Sequence, residues 1–168
     1  ELDGARSIVN EWDQGQCEIK KRITDFFVIG KSFGGPAALF VSRDARVKKV
    51  VAISPVIDWR APSEDEPLEM YPDMVQRSFG EGYRSTPELW QKLRSGEFYN
   101  PALQLDSFDG RKIMIIHAED DTDTRAKEAH EFAQATGATL HMLKRGGHIP
   151  ISLTSWRWAR KIEKFLNA

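Results

Sequence analysis

Apolar positions along this chain fall into short blocks whose spacing predicts secondary structure. Four strand-like blocks lie at residues 26–29, 47–53, 113–116 and 138–143. A short apolar run without alternation is typical of a strand that is buried on both faces of a parallel sheet. We therefore predict four strands. We also expect both faces of the strand at 26–29, FFVI, to be buried.

Between these strands, apolar residues recur at the three- and four-residue spacing of amphipathic helices. The spacing predicts helices over about 3–20, from Pro36 onward, over about 124–136, and from about Ser152 to the end of the sequence. Gly137 is placed to end the third of these helices. Strands that alternate with helices indicate an α/β domain with a mainly parallel sheet and flanking helices.

The stretch at about 58–108 departs from this alternation. It is rich in Pro, Glu, Tyr and Trp and has no strand-like run. Two short helices fit it, near 73–79 and 87–95. We interpret residues 1–168 as a single, partial α/β domain with a mostly helical insertion at 58–108. Phe79, Tyr83 and Trp90 of the insertion either line a pocket or only close the domain.

Charge and cysteine content narrow the classes of partner and compartment. The 168 residues include 24 Lys and Arg against 25 Asp and Glu, for a net charge of −1. This balance gives no electrostatic case for a nucleic acid or an anionic membrane as partner. No apolar run reaches the ~20 residues that span a bilayer. The single cysteine, Cys17, excludes an internal disulfide and favours a reducing, cytoplasmic location.

Polar residues with catalytic potential follow each predicted strand. Ser32 follows the first strand, Asp58 the second, an acidic run at 119–121 the third, and His148 the fourth. The carboxyl ends of parallel strands meet at one edge of a sheet, where functional groups gather. A serine, a carboxylate and a histidine thus leave the same edge, in the chain order Ser, Asp, His.

The serine lies in the segment Gly30-Lys-Ser32-Phe-Gly34, which matches G-x-S-x-G. In this motif the serine occupies a tight strand-to-helix turn, and we expect both glycines because neighbouring side chains would clash there. The backbone N–H of Phe33 is the expected donor to a developing oxyanion. The N-terminus of the following helix adds a favourable dipole.

Several segments together resemble the α/β-hydrolase fold and, within it, the catalytic domain of the prolyl oligopeptidase family. They are GKSFGG at 30–35, SPVIDW at 54–59, YNP at 99–101, IIHAEDD at 115–121 and GGH at 146–148. The resemblance implies Ser32 as nucleophile, Asp121 as the triad acid and His148 as general base. Asp121 lies four residues after His117, as in the H-G-x-x-D pattern of that family. Ala118 replaces its glycine, and Lys31 stands where the family often has an aromatic residue.

The implied activity is hydrolysis of an acyl bond in a small ester or short peptide, through an acyl-enzyme and without a cofactor or metal. Asp120 and Asp123 compete with Asp121 for the role of acid. The acidic run does not fit an EF-hand, which needs glycine at its sixth position. His117 is expected to pack or cap locally. The alternative function is a catalytically silent α/β-hydrolase-like fragment that serves as a binding or assembly module.

The resemblance covers nearly the whole chain but only the second half of the family's catalytic domain. In that family about four strands, and the loop that carries a second oxyanion donor, precede the strand at 26–29. This sequence has one predicted helix there. We therefore expect the strand from Asp25 to Gly30 to pair with an upstream segment, a separate chain or a second copy of this chain.

Overall fold

A computed structural model describes residues 25–61, 68–80, 86–148, 150–151 and 155–168. The predicted helix at 3–20 lies outside these residues, as do Cys17, Tyr83 and the predicted helix start at Ser152. The described elements are β1 (Phe26–Lys31), α1 (Gly34–Val41), β2 (Val47–Ile53), α2 (Tyr71–Phe79), α3 (Pro87–Ser95), β3 (Ile113–Ala118), α4 (Ala126–Thr136), β4 (Thr139–Leu143) and α5 (Trp156–Leu166). No described helix has the length and apolar character needed to cross a membrane.

The four strands form one parallel sheet in the order β1-β2-β3-β4. Val28 pairs with Val50, Ala52 with Ile115, and Ile116 with His141. The predicted strands and the α/β class with flanking helices are confirmed. Since every strand points the same way, the segments after β1, β2, β3 and β4 all leave the same edge of the sheet.

The two central strands, β2 and β3, supply the core. Alternate residues of each strand face opposite sides of the sheet, and both sides are covered. Ala52 and Ile115 pack with Leu39 of α1 and Phe132 of α4 on one side. On the other side a second cluster packs against α5, and its members are Val51, Ile53, Met114, Ile116, Ile151 and Ile162. Burial on both faces explains why β2 and β3 are almost continuously apolar in sequence.

The expectation that both faces of β1 are buried was wrong. Phe26 and Val28 pack against α1 and β2, but Phe27 and Ile29 are each 46% exposed. β1 is an edge strand of the described sheet, and α1 covers the face that carries Val28. On the opposite face, the cluster beneath α5 is built from β2 and β3, one strand further in.

The described residues of 58–108 form no strand, as predicted, and include α2, α3 and short 3-10 turns. The first residues of the stretch are hydrogen-bonded to residues near its end. Asn100 is fully buried, and its Nδ2 donates to Asp58 Oδ1 at 2.8 Å. Trp59 Nε1 donates to the carbonyl oxygen of Tyr99 at 2.7 Å. These two bonds join the start of the stretch, which begins shortly after β2, to residues near its end.

Candidate active site

Ser32 occupies a strained turn between β1 and α1. Its φ of 49° lies in the left-handed region, which non-glycine residues seldom adopt. Backbone bonds hold it there: Ser32 N donates to the Ile53 carbonyl at 3.0 Å, and Gly35 N donates to the Ser32 carbonyl at 2.9 Å. Such strain persists only where the surroundings fix it, and it concentrates at functional positions.

Close packing at this turn requires glycine at two positions, but they are not the two that the motif suggested. A Cβ on Gly30 would lie 2.3 Å from the carbonyl oxygen of Gly34, and one on Gly35 would lie 2.4 Å from Pro55 Cβ. A Cβ on Gly34 would meet nothing within 4 Å. The expectation that Gly34 is needed to avoid a clash was therefore wrong. The crowding falls on Gly35, because that residue faces Pro55 after β2.

His148 and Asp121 meet at the same edge of the sheet. His148 Nδ1 lies 3.1 Å from Asp121 Oδ2 and 3.2 Å from Oδ1. Asp121 is only 7% exposed. Its Oδ1 accepts the amides of Asp123 and Thr124, both at 3.0 Å, and its Oδ2 accepts the Thr124 hydroxyl at 2.9 Å. The carboxylate is thus fixed from several sides and presents both oxygens to the imidazole.

The competing carboxylates have other positions. Asp120 Oδ1 accepts the amide of Gly147 at 2.9 Å and so holds the loop that carries His148. Asp123 Oδ2 approaches His148 Nδ1 only to 3.7 Å. Of the three aspartates, Asp121 is the one hydrogen-bonded to the ring. Asp121, Asp123 and His148 could bring three metal-ligating atoms within 4.8 Å, but the imidazole atom near them is the Nδ1 that Asp121 already engages.

The electrostatics of the pair favour its charged form. Burial acts to raise the pKa of Asp121, but hydrogen bonds from His148 and Thr124 outweigh it and hold that pKa well below its usual range. The hydrogen bond to Asp121 raises the pKa of His148 above its ordinary value, against the opposing effect of burial. An imidazole with this partner is a stronger base than a free one.

A second histidine lies beneath the pair. His117 is fully buried, and its Nδ1 donates to the Ala118 carbonyl at 3.0 Å, which leaves Nε2 as an acceptor. Nε2 lies 3.3 Å from Thr124 Oγ1 and 3.8 Å from Asp121 Oδ2. Burial lowers the pKa of His117, so the ring is held neutral. Sequence reasoning gave His117 only a local role and missed Thr124, since no short motif joins them.

The Ser32 hydroxyl makes no hydrogen bond to a described residue, and so none to His148, the base that the resemblance assigns to it. His148 Nε2 and the amide of Phe33 are likewise without a hydrogen-bond partner in the described ranges. Catalytic hydrogen bonds are often long before substrate binds. A hydroxyl, a ring nitrogen and a backbone donor at one edge of the sheet are thus unbonded to any residue that the structure describes.

A small cleft with a cavity volume of about 60 Å³, partly open to solvent, lies beside Ser32. One wall is aromatic: the Phe33 ring stacks on Trp59 with centroids 5.1 Å apart and meets Tyr71 edge-on at 4.6 Å. Trp90 stacks behind Tyr71 at 6.3 Å and supports that wall. Sequence reasoning named Trp90 as a pocket candidate but missed Tyr71. The cleft places an apolar surface next to the serine, where an acyl or leaving group would lie.

Comparison with known proteins identifies the fold. No family model and no curated protein matches the chain. Solved structures do match it. An esterase of Pyrococcus furiosus superposes with a TM-score of 0.60 at 20% identity, over 99% of this chain and 60% of its own. A meta-cleavage product hydrolase from Pseudomonas fluorescens gives 0.57 at 16% identity, over 86% and 65%. A Pyrococcus horikoshii acylaminoacyl peptidase gives 0.57 at 14% identity, over 88% and 22%. The chain therefore spans less than two thirds of the length of each.

Proposed function

We propose that this chain, which has the α/β-hydrolase fold, is a serine hydrolase that cleaves an ester or peptide bond through an acyl-enzyme. Ser32 is the nucleophile, His148 the general base and Asp121 the acid that orients it. The observation that carries the proposal is the left-handed Ser32 just after β1, at the same edge of the sheet as a hydrogen-bonded His148–Asp121 pair. Ser54 and Tyr99 also have positive φ, but of these three residues only Ser32 lines the cleft and precedes the N-terminus of α1.

In the proposed reaction, His148 Nε2 takes the proton of the Ser32 hydroxyl as Oγ attacks the carbonyl carbon. Asp121 holds the Nδ1–H and stabilises the imidazolium that forms. The amide of Phe33 donates to the oxyanion of the tetrahedral intermediate. His148 then returns its proton to the leaving alkoxide or amine as the carbonyl–heteroatom bond breaks. Water, deprotonated by the same nitrogen, releases the acid and restores Ser32.

The structurally similar proteins support an acyl substrate, but they do not indicate whether its leaving group is an alcohol or an amine. Their names describe an esterase, a hydrolase of meta-cleavage products and a peptidase. The resemblance to the prolyl oligopeptidase family favours a short peptide, and a cleft that is partly open to solvent is compatible with an ester as well. The unformed Ser32–His148 bond favours the second candidate function, a silent binding module on the same fold.

A fluorophosphonate probe distinguishes the two candidates. We expect a single adduct on Ser32 of the folded chain, found by mass spectrometry of the digested protein. Heat-denatured protein and the Ser32→Ala variant should remain unlabelled. Ser107→Ala, which removes an exposed serine away from the site, is the matched control. This variant should be labelled like the original chain. Folded protein that stays unlabelled at long exposure would refute the enzyme and favour the binding module.

The pH dependence of hydrolysis should follow His148. The base acts only when neutral, and its pKa lies above the ordinary 6.5. The value of kcat/KM for a neutral ester should therefore fall as the pH drops through a midpoint above 6.5. In Asp121→Asn, an NMR titration should place the pKa of His148 lower, because the hydrogen-bonded negative charge is lost. A midpoint well below 6.5 in the original chain would contradict the assignment of His148 as base.

A further inference from the structure

Glu128 is a carboxylate of the cleft that the proposed reaction does not use. It lies in the first turn of α4 and lines the cleft together with Ser32 and Phe33. Its Oε2 is buried and has no hydrogen-bond partner within the described ranges. A carboxylate oxygen that loses water without gaining a donor is costly in free energy. The cleft therefore contains negative charge that a positive group could offset.

The other carboxylates of the cleft each have a charged or titratable neighbour. Asp58 forms an ion pair with Arg60 at 2.7 Å. Burial acts to raise the pKa of Asp58, but the bonds from Arg60 and Asn100 outweigh it and lower that pKa to about 2. Asp123 lies 3.7 Å from the imidazole of His148. Among the described residues, Glu128 is the cleft carboxylate that forms no ion pair.

The aromatic wall adds a second attraction for positive charge. Phe33 is 41% exposed, and its ring stands against Trp59 and Tyr71. The faces of aromatic rings attract ammonium groups electrostatically. An organic cation would thus place its apolar body on this wall and its charge toward Glu128. One opposing charge is present, since Arg125 lines the same cleft and is exposed.

We propose that the cleft binds organic ammonium groups, with Glu128 as the residue that selects positive charge. Under the proposed function, on which this second statement rests, the protein acts by preference on acyl compounds that carry an amino group on an apolar chain. Glu128 sets the charge preference, and the aromatic wall sets the preference for an apolar body.

Binding is testable without catalysis. Phenethylammonium and its neutral analogue phenethyl alcohol are titrated into the full chain, and the indole N–H signal of Trp59 is followed by NMR. We expect saturable binding of the ammonium compound, at least about tenfold tighter than that of the alcohol. Glu128→Gln, which keeps the shape of the side chain, should remove this preference. Arg125→Gln should strengthen it, because the opposing charge is gone.

Glu131→Gln is the matched control. Glu131 lies one turn further along α4, is exposed, and lies 3.7 Å from Lys127. This variant should keep the preference of the original chain. Equal binding of the two compounds by the original chain would overturn the inference. So would an unchanged preference in folded Glu128→Gln, or an Arg125→Gln variant that binds the cation no better.

Hydrolysis separates this inference from the proposed function. Nitrophenyl esters of aminohexanoate and hexanoate differ by one ammonium group, and Glu128→Gln should lower the kcat/KM ratio of charged to neutral ester by about tenfold. If Ser32 is labelled by the fluorophosphonate but the protein shows no preference for charged compounds, the hydrolase proposal stands and the cation site is overturned. If the protein binds the ammonium compound but is not labelled, the cation site stands and the hydrolase proposal is overturned.

Discussion

Replacing Ser32 with alanine should lower the hydrolysis of an activated ester by on the order of 10⁴–10⁶. Without Oγ no acyl-enzyme forms, and the base has nothing to activate except water. The residual rate should come from binding and from the Phe33 amide alone. The measurement is kcat/KM for a nitrophenyl ester with the full chain, compared with Ser32→Ala prepared in the same way.

Two controls give this result its meaning. Ser32→Ala should retain the circular dichroism and thermal midpoint of the original chain, because its side chain makes no hydrogen bond in the described part of the structure. Ser95→Ala, at an exposed position in the last turn of α3, should hydrolyse the ester at the original rate. If Ser32→Ala folds and turns over the ester like the original chain, the nucleophile has been misassigned.

Gly35→Ala should destabilise the fold by about 2–3 kcal/mol, the upper part of the range of about 1–3 kcal/mol that is typical when an extra group is forced into a filled space. Its Cβ would lie 2.4 Å from Pro55 Cβ and 2.6 Å from Pro55 Cα. Since Pro55 Cα is backbone, the clash cannot be relieved by a side-chain rotation. For a chain of this size the thermal midpoint should fall by roughly 5–10 °C. Urea unfolding followed by circular dichroism measures the free energy directly.

The neighbouring glycine provides the matched comparison. A Cβ on Gly34 would meet nothing within 4 Å, so Gly34→Ala has no steric cost. It should leave the free energy of unfolding unchanged or raise it by up to about 1 kcal/mol, because alanine favours helix over glycine. Equal losses in the two variants would show that the turn tolerates no side chain at all, and that the contact with Pro55 is not the cause.

The elements that sequence predicted well are those whose burial is complete. Val50–Ile53 of β2 and Ile113–Ile116 of β3 are covered on both sides, so every residue of these two segments is apolar, although Lys48 and Lys49 interrupt the start of β2. The same kind of signal was misleading for β1, where Phe27 and Ile29 are exposed. An apolar run in the sequence indicates that its residues are compatible with burial. It does not record which strand lies at the edge of the described sheet, since that depends on how strands pair.

The candidate site could be predicted only in part, because some of its contacts follow no regular spacing in the sequence. The order of Ser32, Asp121 and His148 follows from strand ends, so their arrival at one edge was foreseeable. The contacts of Thr124 with Asp121 and His117 depend on the turn after β3 and carry no spacing rule. In sequence, Glu128 resembles any first-turn acid that complements a helix dipole. Only the structure shows that it lines a cleft and that one of its oxygens is buried without a hydrogen-bond partner among the described residues.

The strand order of the sheet also has a consequence for how the chain folds. β1 pairs with β2, and β3 with β4, across connections of one helix each, whereas Val50 of β2 pairs with Ile113 of β3 across the whole helical stretch. Closing the longer loop costs roughly 1 kcal/mol more in chain entropy than closing either short one. Two local halves, β1-α1-β2 and β3-α4-β4, should therefore gain structure before they join. The joining of β2 to β3 would then limit the rate, and would leave the apolar faces of both halves exposed until it occurs.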